Sequence, residues 1–260
     1  MKKKTTRVMS VVAACATLVM IFAGFAPAKK VSAASVSGLY ITNTEAQCDF
    51  TGSGNKAVIF GDAATKNKYV LKGTVSGLSG YEDVYVDITC VAGYGRGAKL
   101  NYCASNTHKK SVSINYDLLG VGNYISCGEY KVTIKSSNGK QIGSAFYYTV
   151  ISKKYVQFTK DLNKFVKRDV SGFNQDAYNI SLGKDSAANV ARKYFSYSSF
   201  KSQMRSYSPT EFVEKLYVSI LGRNYDQGGK TYWLSCLAAG QSREQIVECF
   251  INSEEFRKNF

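Results

Sequence analysis

Ser208-Pro-Thr-Glu-Phe-Val-Glu-Lys-Leu-Tyr-Val-Ser-Ile-Leu-Gly-Arg-Asn-Tyr-Asp-Gln-Gly-Gly-Lys-Thr-Tyr-Trp233 decides how the last part of this 260-residue chain folds. Ser208 with Glu211 three residues later is a capping box. Pro209 falls at the first helical position, where its missing N–H is no loss. Phe212, Val213, Leu216, Tyr217, Ile220 and Leu221 then recur at helical spacing. Gly222 stops the helix, because glycine enters the left-handed region without a Cβ penalty. Asp226 reads as the N-cap of a second helix that carries Tyr232, Trp233, Leu234 and Leu237 and stops at Gly240. Ser242 and Gln245 form another capping box, ahead of Ile246, Val247, Phe250 and Ile251. Ser253-Glu254-Glu255-Phe256 opens a last helix, with its acids near the positive end of the helix dipole.

Taken together, Phe212-Val213, Leu216-Tyr217, Leu221-Gly222-Arg223, Asp226, Gly229, Tyr232-Trp233, Leu237, Gly240, Ser242, Phe250 and Ser253 to Phe256 resemble the domain-of-unknown-function 4214 family of bacterial exported and surface proteins. The likeness covers about fifty residues. Tyr225 departs from it, since the family often has proline there. The resemblance implies an all-helical module at 208–260 and brings no established enzymatic activity with it. The Leu-Gly-Arg to Gly stretch also looks distantly like the linker domains of phycobilisomes, which are assembly modules.

Upstream lies a worn copy. Ser186, Val190, Tyr194 and Phe200 stand 56 residues before Ser242, Ile246, Phe250 and Phe256. Leu182-Gly183 matches Leu237 to Gly240 with one slip, and Asp169, Gly172 and Tyr178 are weaker parallels to Asp226, Gly229 and Trp233. Stacked repeats bury faces that neither copy can bury alone. The expected organisation is therefore a basic helical segment at 153–207 ahead of the module at 208–260.

Residues 34–152 have period two instead. Val84, Val86, Ile88 and Cys90 share one strand face, and Tyr130, Val132 and Ile134 share another. Further strands are expected at Gly38–Thr42, Ala57–Phe60, Tyr69–Val75, Leu100–Cys103, Ser111–Tyr116 and Ala145–Ile151, with Asn138-Gly139 as a hairpin turn. Seven or eight short strands predict an antiparallel β-sandwich. The final hairpin, Gly128 to Val150, resembles that of bacterial immunoglobulin-like domains. The fold class expected is thus β followed by α: an immunoglobulin-like sandwich, then helices.

The first 33 residues read as a signal peptide: Lys2, Lys3, Lys4 and Arg7, an apolar run from Val8 to Phe25, and Val31-Ser32-Ala33 before a cut. An uncleaved anchor and lipidation at Cys15 are the alternatives. The stretch holds six Lys/Arg and no acid, so its removal lowers the formal charge from +15 to +9. The remaining excess sits in residues 151–207, with eleven basic and four acidic groups. An exported chain of this kind is expected to meet anionic polymers or headgroups through residues 153–207, and not nucleic acid, since no recognition motif accompanies the charge. Six cysteines follow the leader, Cys48, Cys90, Cys103, Cys127, Cys236 and Cys249. They are disulfide candidates whose connectivity the sequence leaves open.

Catalytic patterns are missing from the sequence. His108 is the single histidine, and P-loop, HExxH and EF-hand signatures do not occur. No cofactor or metal is expected. Binding candidates are Tyr94 and Arg96 in the Gly93–Gly97 loop, and Lys164, Lys167 and Arg168 in the basic segment. The expected function is a secreted or cell-surface, non-enzymatic interaction protein for a cell-wall polymer, a glycan or an extracellular protein. The alternative is an enzyme or accessory module acting on extracellular polysaccharide.

Overall fold

The computed structural model describes residues 33–42, 44, 46–48, 56–61, 69–80, 82–106, 110–118, 126–169 and 174–260, all within a compact unit spanning Ser32–Phe260. The leader reading, Cys15 and His108 lie outside the described residues, as does the side chain of Cys48.

Among the described residues, nine strands come first: β1 (Ser35–Ile41), β2 (Ala46–Cys48), β3 (Lys56–Phe60), β4 (Val70–Ser76), β5 (Val84–Gly93), β6 (Lys99–Ala104), β7 (Ser111–Asp117), β8 (Gly128–Ser136) and β9 (Phe146–Ile151). They form an antiparallel three-stranded sheet, β1-β4-β7, and a six-stranded sheet, β2-β3-β9-β8-β5-β6. The expectation of purely antiparallel pairing fails at one place. β3 runs parallel to β9, from Ala57 opposite Tyr148 to Phe60 opposite Ile151. Alternation could not reveal this, because the period of two is the same whichever way a neighbouring strand runs.

The inward faces are those the alternation predicted. Val86 pairs with Ile134, Ile88 with Val132 and Cys90 with Tyr130. All six lie in one buried cluster with Leu71, Val75, Val112 and Ile114 of the smaller sheet. Asn138-Gly139 does make the turn between β8 and β9. Gly139 sits at φ 81°, and the Asn138 side chain accepts from Lys140 N at 3.0 Å.

Helices follow with only Ser152 between β9 and the first: α1 (Lys153–Lys164), α2 (Gln175–Ser181), α3 (Ala187–Ser196), α4 (Ser198–Ser206), α5 (Pro209–Leu221), α6 (Gln227–Ala238), α7 (Arg243–Ile251) and α8 (Glu254–Asn259). Both capping boxes form, at Ser208 with Glu211 and at Ser242 with Gln245, and Gly222 ends α5 at φ 69°. Repetition is visible in the packing. Ser152 and Ser186 precede α1 and α3; Ser208 and Ser242, 56 residues on, precede α5 and α7. Like packs on like: α1 lies against α5 and α3 against α7. Arg192 Nε is 3.0 Å from Glu248 Oε2, and these two residues are themselves 56 apart. Two positions 56 residues apart thus meet across the α3–α7 contact.

The copies differ most at their second helix. Asn174, not Asp169, caps α2 through Ala177 N. α2 has seven residues where α6 has twelve. α2 also packs, with α1, against the larger sheet. Ala177, Tyr178 and Leu182 share a buried cluster with Val58, Ile151 and Val156, and the Tyr178 hydroxyl bonds Glu129 of β8.

Candidate functional site

The two sets of binding candidates occupy different places. Tyr94 is 70% exposed, yet its ring covers Gly183 so closely that a Cβ there would stand 3.2 Å from Tyr94 Cζ. It closes the β5–β6 loop over the turn after α2. Arg96 is exposed nearby in sequence. Lys164, Lys167 and Arg168 stand at the C-terminal end of α1, where cations meet the negative end of the helix dipole. Lys164 Nζ is 2.7 Å from Asp161, and Lys167 Nζ lies 5.6 Å from the Tyr207 ring centroid.

The C-terminal motif residues have internal jobs. Arg223 grips Glu255 with two bonds, Nε to Oε1 at 2.5 Å and Nη2 to Oε2 at 2.9 Å, and its guanidinium lies 4.8 Å over the Tyr217 ring. Asp226 Oδ1 accepts from Gly229 N at 2.7 Å. Gly229 is required because the Tyr217 hydroxyl occupies the space a Cβ would need. Trp233 packs on Phe250 at 5.0 Å. Ser253 accepts from Phe256 N at 3.1 Å, Glu254 pairs with Lys258, and buried Phe256 packs edge-on to Phe158 and tilted against Phe260. The bond from Arg223 holds the Glu255 carboxyl below its usual range. The Gly229 N–H does the same for Asp226, and the Ser208 N–H for Glu211.

A different face has the composition of a binding surface. β1, β4 and β7 set three registered rows on the outer side of the small sheet: Ser35-Ser76-Ser111, Ser37-Thr74-Ser113 and Tyr40-Lys72-Asn115. Tyr40 reaches this side because β1 carries a bulge between Ser37 and Tyr40, with Gly38 at φ 59°. One extra residue reverses the facing of everything after it, so Leu39 and Ile41 turn in and Tyr40 turns out, 51% exposed. Gly73 leaves room beside the bulge, since a Cβ there would come 2.9 Å from Leu39 Cδ1. The result is a shallow groove of about 510 Å³ lined by Ser37, Gly38, Tyr40, Lys72, Gly73, Thr74, Ser113, Ile114 and Asn115. It offers one aromatic plate, one amide, hydroxyls and one cation, and no carboxylate.

Sequence reasoning did not pick out these residues. The signal was present in the polar alternate positions of Ser111-Val-Ser-Ile-Asn115, but nothing marked the bulge that adds Tyr40 to them.

Among the described residues, no group of three or more His, Cys, Asp or Glu is placed to hold a metal ion. Cys90 is buried, and burial pushes its thiol up; Cys103 and Cys249 are exposed. Cys236 is half-buried.

A family model described as "Domain of unknown function (DUF4214)" matches residues 191–260. The match supports the resemblance read from Phe212 to Phe256 and begins earlier, inside α3. No curated protein matches the chain. Among solved structures it is similar to the Pseudomonas fluorescens alkylpurine DNA glycosylase AlkC bound to DNA containing an abasic site analog. The identity is 14% and the TM-score 0.30, over 46% of this chain and 31% of that one. The chain thus spans about a third of that protein's length, and at this TM-score the likeness says nothing of function.

Proposed function

We propose that this chain is an exported, non-enzymatic interaction protein that holds a polysaccharide of the bacterial cell envelope on the outer face of β1-β4-β7. The observation that carries this reading is the row Tyr40-Lys72-Asn115 beside Ser37-Thr74-Ser113. A sugar ring presents an apolar face to an aromatic plate and hydroxyls around its rim. Tyr40 supplies the plate, and Asn115, Thr74 and Ser113 supply donors and acceptors at strand spacing. Lys72 adds one cation, which favours a polymer with scattered acidic groups. The groove is open along the sheet, as a chain ligand requires, and the absence of carboxylates from its lining favours retention over hydrolysis.

The strand order supports an immunoglobulin-like sandwich as the scaffold. With β1, β4, β5, β6, β7, β8 and β9 taken as A, B, C, C′, E, F and G, one sheet runs A-B-E and the other G-F-C-C′. The basic n-region and apolar run at the N-terminus support export. Among the described residues, no helix is long and apolar enough to cross a membrane. Exposed Lys164, Lys167 and Arg168 support a secondary contact with anionic surfaces, weakened by salt.

The test is a bacterial glycan array and a pull-down on purified cell walls with the full secreted chain. Binding should fall at least about tenfold in Tyr40→Ala, a loss of about 1.4 kcal/mol. Undiminished binding by that variant rejects the face, and a wild-type chain that retains no carbohydrate rejects the function.

A further inference from the structure

We propose that Cys236 and Cys249 form a disulfide that pins α6 to α7. The two thiols flank one junction. α6 ends at Ala238, the chain turns at Gly240 (φ 91°), and α7 starts at Arg243. Gln241 touches both cysteines: its N donates to Cys236 O at 3.1 Å and its Nε2 to Cys249 Sγ at 3.8 Å. Trp233, one turn before Cys236, packs on Phe250, the neighbour of Cys249, at 5.0 Å. Tyr232 stands beside the pair, and its phenol is raised by a hydrogen bond with Cys236 and by the charge of Cys249.

The junction needs a tie. α6 buries no residue completely, and its contact with the helical core rests on half-buried Trp233, Leu234, Cys236 and Leu237. Upstream, Lys193, 56 positions before Cys249, likewise ties α3 to the helix before it by pairing with Asp176 on α2. Cys249 is exposed and Cys236 half-buried, so an external oxidant reaches Cys249 first. The Cys249 thiolate attacks a small disulfide such as oxidised glutathione and expels one glutathione thiolate. Cys236 then attacks the mixed disulfide and expels the second. The protein pair loses two protons and two electrons, and glutathione disulfide becomes two glutathione thiols.

The full chain is equilibrated with oxidised glutathione, its remaining thiols are alkylated, and it is digested with trypsin without reductant. Cleavage at Arg243 separates the two cysteines, so peptide 231–243 should appear joined to peptide 244–257. Reduction should lower Tm by about 6–12 °C, a loop of about 14 residues being released, and Cys249→Ser should show no such shift on reduction. Alkylation of both cysteines, or joining of either to a different cysteine, overturns the proposal. So does a reduction shift that persists in Cys249→Ser.

Discussion

Replacing Gly229 by alanine tests whether the motif glycine serves the inside of the helical module. Gly229 lies in the first turn of α6, where alanine is intrinsically the better helix former by about 0.8–1 kcal/mol. The structure predicts the opposite sign. The added Cβ would overlap the hydroxyl of Tyr217, a residue 4% exposed and fixed between Phe250 at 5.1 Å and the Arg223 guanidinium. It would also press on Asp226 Oδ2 at 3.1 Å, the side chain that caps the helix. Overpacking of this kind costs about 1–3 kcal/mol. Direct overlap with a fixed hydroxyl puts this site in the upper half of that range, about 2–3 kcal/mol, so after the propensity gain the net loss is about 1–2 kcal/mol, or about 2–8 °C in Tm for a chain of this size. Tyr217→Phe removes the offending oxygen. In that background the alanine methyl has room, so the double variant should recover at least about 1 kcal/mol relative to the sum of the single variants. Thermal and urea melts of the four proteins measure this directly. A Gly229→Ala protein as stable as wild type, or a cost unchanged by Tyr217→Phe, would refute the reasoning.

Two further outcomes are expected. Tyr148 is fully buried, and its hydroxyl has no partner among the described residues. Tyr148→Phe should therefore be neutral or stabilising by up to about 1–3 kcal/mol in urea melts, and a clear loss would show an unrecognised partner for that hydroxyl. Glu255, Asp226 and Glu211 all titrate below their usual values when folded, so in acid the unfolded chain binds more protons. Their stabilisation is full above the unfolded carboxylate pKa of about 4 and is lost as pH falls through the folded values. Arg223→Ala should flatten that acid limb of the Tm–pH curve, and an unchanged limb would count against the Arg223–Glu255 pair as its source.

The helical half was legible because its signals are local. Ser208, Glu211, Gly222, Asp226 and Ser242 each act within one turn of their own position, and the structure uses all five as the sequence suggested. The 56-residue spacing also carried over to packing, down to Arg192 meeting Glu248. Non-local features were not legible. The parallel β3–β9 pair joins segments about ninety residues apart, and alternation is blind to strand direction. The Asn174 cap was missed because Asp169 matched the family pattern better in sequence. Tyr94 looked like a ligand plate because nothing local shows that Gly183 lies beneath its ring. The candidate face was hidden for a related reason. Tyr40 joins Lys72 and Asn115 through a bulge whose only trace in the sequence is Gly38, and through space left by Gly73 on another strand.

The central claim is that the outer face of β1-β4-β7 holds an envelope polysaccharide. It is tested most directly by titrating purified bacterial wall polysaccharide into the full chain by calorimetry, with wild type, Tyr40→Ala and Asn115→Ala side by side. The account predicts saturable binding by wild type and affinity at least about tenfold weaker in both variants, with unchanged Tm. Equal affinity in all three proteins, or no heat of binding with wild type, would contradict it.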